Sequence, residues 1–142
     1  MLKLLSNLNI LQRVELTMPN WSDTTLKQGA WIGLGGITPA SKGLLAAYPI
    51  WTESNRNNTY GFTPDAVATG KLTLLVGTHR AMTDWVTTSG ISVGSPLAVE
   101  TDGTLGIGTM GTHNIVAYCE ALTTSYVYMG TTYSNVITYI TA

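Results

Sequence analysis

Between Gly94 and Ala142 the chain is a close succession of strand patterns, and this stretch limits the folds open to it more than any other. Leu97, Val99, Leu105 and Ile107 alternate with small or polar residues on either side of Asp102-Gly103. Asp and Gly readily supply the backbone conformations of a tight turn, so this is a β-hairpin signature. The apolar runs N-I-V-A-Y-C-E-A-L, S-Y-V-Y-M and N-V-I-T-Y-I-T-A follow it. Upstream, strands are expected at Val14–Met18, Leu26–Leu34, Tyr48–Glu53, Lys71–Val76 and Ala81–Thr87, with a turn over Gly77–Arg80. Pro39–Ala47 is read as a short helix and Ser54–Pro64 as a polar loop. About eight short strands with little helix predict a single all-β domain over residues 1–142, a small barrel or sandwich.

Leu4, Leu5, Leu8 and Leu11 fall at helical spacing, so residues 1–12 are expected to form a turn or two of apolar helix. An isolated helix this short is marginal in water. Something must therefore cover it: the domain's own core, or a neighbouring subunit reached by an N-terminal arm. The segment lacks the continuous apolar run and small-residue cleavage site of a signal peptide, and no stretch approaches the ~20 apolar residues of a membrane helix. The chain is expected to stay soluble in the cell that makes it. The sequons at Asn20 and Asn57 would matter only on secretion.

Charge is sparse. Asp, Glu, Lys and Arg make up 11% of the residues, against about 25% in an average domain, and 23 threonines supply much of the polarity. Such a surface suits a protein covered by neighbours. The seven basic residues are scattered, with no stripe to neutralise phosphates, which argues against nucleic acid. Trp and Tyr outnumber Phe eleven to one. Their apolar bodies and polar tips fit core margins and interfaces, and Trp21, Trp51, Tyr126 and Tyr128 join the four leucines as candidate interface residues.

Reactive chemistry is not indicated. Gly106-Ile107-Gly108-Thr109-Met110-Gly111 fits the dinucleotide pattern G-x-G-x-x-G, but a strand pattern follows where a helix would have to open. His79 is placed in a turn on the surface, and His113 at the start of a strand as a cap or filler. Cys119 reads as a buried inert thiol. The eight carboxylates are dispersed, which leaves a glycoside-acting enzyme as a distant third reading. No catalytic residue, metal or cofactor is predicted.

The run V-G-S-P-L-A-V-E-T-D-G-T-L from Val93 to Leu105, the strands N-I-V-A-Y-C-E-A-L and N-V-I-T-Y-I, and the stretch from Tyr48 through G-F-T-P-D-A-V-A-T-G-K-L-T-L-L-V-G resemble the decoration, or cement, proteins of tailed-bacteriophage heads. The resemblance spans Tyr48–Ala142. It implies a β-barrel or β-tulip-like subunit, a non-enzymatic homotrimer on the outer surface of a virion capsid, and it favours residues 1–12 as an arm onto a neighbouring subunit or the shell. Such a protein would be made in the host cytoplasm and would bridge adjacent major capsid protein subunits, with no membrane, nucleic-acid or small-molecule partner. A receptor- or carbohydrate-binding β-module of a tail fibre is the alternative.

Overall fold

The computed structural model describes residues 1–7, 12–17, 28–33, 40, 42–43, 47–50 and 71–142. Ten strands run through them: β1 (Leu2–Asn7), β2 (Gln12–Thr17), β3 (Trp31–Ile32), β4 (Tyr48–Pro49), β5 (Lys71–Val76), β6 (His79–Thr83), β7 (Pro96–Val99), β8 (Leu105–Ile107), β9 (Ala117–Tyr128) and β10 (Thr131–Thr141). The protein is all-β, with no helix among the described residues. Six strands form an antiparallel sheet in the order β1-β6-β10-β9-β7-β8, while β2 pairs with β5 and β3 with β4. An antiparallel bridge between Ile50 and Leu74 ties the two small sheets together.

The core explains this arrangement. Trp31 of β3 and Leu75 of β5 pack with Leu2, Ala81, Leu97, Leu105, Ala117, Ile137 and Tyr139 of the large sheet, so the small sheets cover one of its faces. A smaller cluster of Met1, Met82 and Val136, with Leu5 packed against it, gathers separately. The division follows strand periodicity: Leu2 and Leu4 join the main core, whereas Met1 and Leu5 join the second cluster.

The hairpin at Asp102-Gly103 is formed as read, with Leu97 opposite Ile107 and Val99 opposite Leu105. Gly103 N–H donates to Glu100 O at 3.0 Å and Glu100 N–H to Thr104 O at 2.7 Å. Gly103 has φ +84° and Asp102 does not have a positive φ. This is the three-residue loop, a type I turn followed by a left-handed residue. Asp102 Oδ1 accepts from both N–H and Oγ1–H of Thr104 and fixes the turn. β5 spans the expected residues.

Other expectations are corrected. Leu2–Asn7 is a strand rather than helical turns, paired along β6 with an irregularity between Leu4 and Ser6. The open edge of β6 offers hydrogen-bond partners to every second residue, and this tertiary pairing overrides the leucine spacing. The segment is thus part of its own domain's sheet, and residues 8–11 lie outside the described residues. The strand expected at Ala81–Thr87 begins two residues earlier, because Gly77-Thr78 alone completes the turn. β9 starts at Ala117, four residues after His113. Gly106-Ile107-Gly108 closes β8 and is followed by a turn. A Cβ on Gly106 would collide with the Glu100 carboxyl, and one on Gly108 would lie 2.6 Å from Ile115 Cδ1, so these glycines serve packing. Ser54–Pro64, both sequons and most of Pro39–Ala47 lie outside the described residues.

Candidate interaction surface

β9 and β10 are the longest strands, and they outrun their neighbours. β7 pairs with β9 at Ala117 and Tyr118, Gly94 and Ser95 just before it bond the Cys119 backbone, and β6 pairs with β10 over Ile137–Ile140. Beyond these limits Leu122–Tyr128 and Thr131–Val136 continue as a two-stranded ribbon, about 24 Å long at ~3.4 Å per residue. The ribbon leaves the sheet next to a register shift between Thr138 and Tyr139, where Glu120 is the extra residue on β9.

One face of the ribbon lies on the body. Tyr126, Tyr128 and Tyr133 are half-buried against the cluster of Met1, Met82 and Val136. Lys3 Nζ donates to Tyr126 Oη at 2.5 Å and lies 5.2 and 5.5 Å from the ring centres of Tyr126 and Tyr128. A cation so placed adds about 0.5–1 kcal/mol at an exposed site, and here it clamps the ribbon to β1. The other side faces solvent, with Val127 65% and Met129 64% exposed. From Ala121 to Ala142 the sequence contains no charged residue.

The ribbon's tip is a two-residue turn with φ +52° at Met129 and +80° at Gly130. Two left-handed residues make a type I′ turn, which favours Asn-Gly or Asp-Gly. For an L-residue with a Cβ the left-handed region costs roughly 1–2 kcal/mol.

Of the candidate interface residues, Tyr126 and Tyr128 lie together on this ribbon. Leu5 packs beneath it and Leu4 against the main core, both inside the domain. Leu8, Leu11, Trp21 and Trp51 lie outside the described residues. Lys3, Val127 and Met129 were not singled out from the sequence. The signal for them was the alternation S-Y-V-Y, then M-G, then T-T-Y, one hairpin rather than two strands.

A second feature is a cleft of about 410 Å³ lined in part by Trp31, Tyr48, Leu75, His79, Asn114 and Val116. His79 is not a surface histidine: it is 1% exposed. Its Nδ1 lies 3.0 Å from Gly77 O and its Nε2 3.0 Å from Tyr139 Oη. A carbonyl only accepts, so Nδ1 carries the proton and Nε2 accepts from the tyrosine hydroxyl. Burial pushes the imidazole below its ordinary pKa, partly offset by the Gly77 bond. It pushes the fully buried Tyr139 hydroxyl well up. Both nitrogens are thus committed, Nδ1 to the turn between β5 and β6 and Nε2 to Tyr139 of β10. Trp31 Nε1 is buried with no hydrogen-bond partner among the described residues. His113 Nδ1 accepts from Thr109 N–H at 2.9 Å and closes a turn. Burial raises the Cys119 thiol pKa. No group of three potential metal ligands exists among the described residues.

Comparison with family models, curated proteins and solved structures found no match to this chain.

Proposed function

We propose that this protein is a structural virion component that decorates and stabilises a phage capsid, bridging adjacent major capsid protein subunits as a homotrimer. The observation that carries the reading is the projecting ribbon, a long charge-free element clamped to the body on one face and exposed on the other. Exposed apolar groups on a rigid element suit burial against another protein. The charges near the core and sheet are paired internally, Lys42 with Glu100 at 3.0 Å and Arg80 with Glu120, so contacts on the ribbon would rest on shape and apolar area. The segment resembling decoration proteins, Val93–Leu105, forms the β7–β8 hairpin beside them. Mechanically, a subunit touching several capsid proteins at once multiplies weak contacts through effective concentration, and so raises the cost of pulling the shell apart under packaged DNA.

The test is co-sedimentation with purified expanded phage heads that lack the protein, followed by heat challenge of the shells. Saturable binding with delayed shell rupture is expected. Failure to bind at saturating concentration, together with binding to host cells or glycans, would replace this reading with the receptor- or carbohydrate-binding one.

A further inference from the structure

Among the described residues the ribbon leaves two strand edges open. Past Cys119 on β9, whose backbone is still bonded to Gly94 and Ser95, and before Ile137 on β10, the strands pair in β-ladders only with each other among the described residues. Thr124, Ser125, Val127, Thr132 and Ser134 are all exposed. Proteins usually blunt such edges with lysine, proline, inward-pointing charge or a covering element. Neither a charged residue nor a proline occurs after Glu120. A second, separate observation marks the same element: Met129 at its tip is unfavourable both in conformation and in exposure. A turn selected for folding alone would carry Asn or Asp there, and strain of this kind concentrates where a surface is used.

We infer that the ribbon joins copies of this chain edge to edge, the β9 edge of one ribbon pairing antiparallel with the β10 edge of the next in a closed ring. The occupant is a second copy for two reasons. Around a rotation axis all β9 strands point one way and all β10 strands the other, so identical ribbons offer each other antiparallel edges automatically. Like surfaces that carry charge repel, and this one carries none. Pairing β9 with β9 would instead leave β10 edges open to recruit further chains, whereas the alternating ring consumes every edge. The inference rests on the homotrimer part of the proposed function and is independent of capsid binding.

Hydrogen exchange of the shell-free protein, read with sedimentation velocity across a concentration series, tests it. In an isolated ribbon the edge-facing amides exchange quickly while the inward-facing ones are protected. Edge pairing protects both sets over Leu122–Ser134 as the oligomer forms. Val127→Lys should keep the wild-type circular dichroism spectrum and weaken association by about tenfold or more. Met129→Asn should raise the melting temperature of the monomer yet weaken association, opposite signs that a purely structural role does not produce. An oligomer whose edge-facing ribbon amides exchange quickly at every concentration overturns the inference and leaves the homotrimer standing. A protein that is monomeric at the highest concentration overturns both. Binding of the wild type to shells, measured separately, reports on the capsid reading alone.

Discussion

Replacing Tyr139 with Phe removes one hydroxyl from the centre of the domain. The ring stays: it is fully buried and sits 5.9 Å from the Trp31 ring centre, so packing is preserved. The bond to His79 Nε2 at 3.0 Å is lost. The ring nitrogen is then a buried acceptor without its donor, and leaving such a group unsatisfied costs about 1–3 kcal/mol. At ~2.1 cal/mol/K of unfolding entropy per residue, a chain of this size loses roughly 3 °C of Tm per kcal/mol, so a fall of about 3–10 °C is expected. His79→Leu should cost a similar amount, and the double variant less than the sum, because removing both polar partners leaves no orphan. Thermal melts at pH 8 of the four proteins provide the cycle. A Tyr139→Phe variant melting within about 0.5 kcal/mol of wild type, or strict additivity, would refute the idea that this pair locks β6 to β10.

The same histidine predicts acid sensitivity. Its folded pKa lies below the unfolded value of about 6.5, so the unfolded chain binds the proton first, and stability falls as pH drops below 6.5, by at most ~1.4 kcal/mol per pH unit, until the folded pKa is passed; urea titrations from pH 8 to 5 should show this and His79→Leu should flatten it. Gly108→Ala puts a methyl group 3.2 Å from the Ala98 backbone nitrogen as well as into Ile115, and overpacking should cost about 1–3 kcal/mol by chemical denaturation. Gly103→Ala forces a Cβ into φ +84° and should cost about 1–2 kcal/mol. Deleting residues 1–7 should lower stability sharply, because full burial of Leu2 alone is worth roughly 1.5–3 kcal/mol; an unchanged melt would restore the arm expected from the sequence.

What the sequence disclosed was local chemistry. The β7–β8 hairpin is specified by residues within ten positions of each other, and β5 by an apolar run bounded by glycines at 70 and 77. The all-β class followed from many such signals. What it concealed depended on distant partners. Leu2–Asn7 becomes a strand only because β6, more than seventy residues later, presents an edge. His79 lies one residue beyond the turn, and its burial is set by Tyr139, sixty positions away. The candidate surface was half legible: Tyr126 and Tyr128 marked the ribbon as aromatics, but their rings pack on the body, and the ribbon's projection depends on β6 and β7 being shorter than β9 and β10. No local pattern records that difference in length.

The extra residue at Glu120 sits where the ribbon parts from the sheet, opposite the step from Thr138 to Tyr139. Bulges increase twist and redirect a strand without disturbing the pairing beyond them. The register from Ala121 to Tyr128 therefore does not depend on the bulge, whereas the ribbon's heading does. Losing or gaining one residue here would re-aim the ribbon and shift its seat on Met1, Met82 and Lys3, with the main core left in place. A lineage under pressure to fit a differently curved partner would have a one-step means of doing so. Sequences descended from a common ancestor with this chain should accordingly vary in length at position 120 while keeping the spacing between Leu97 and Ala117.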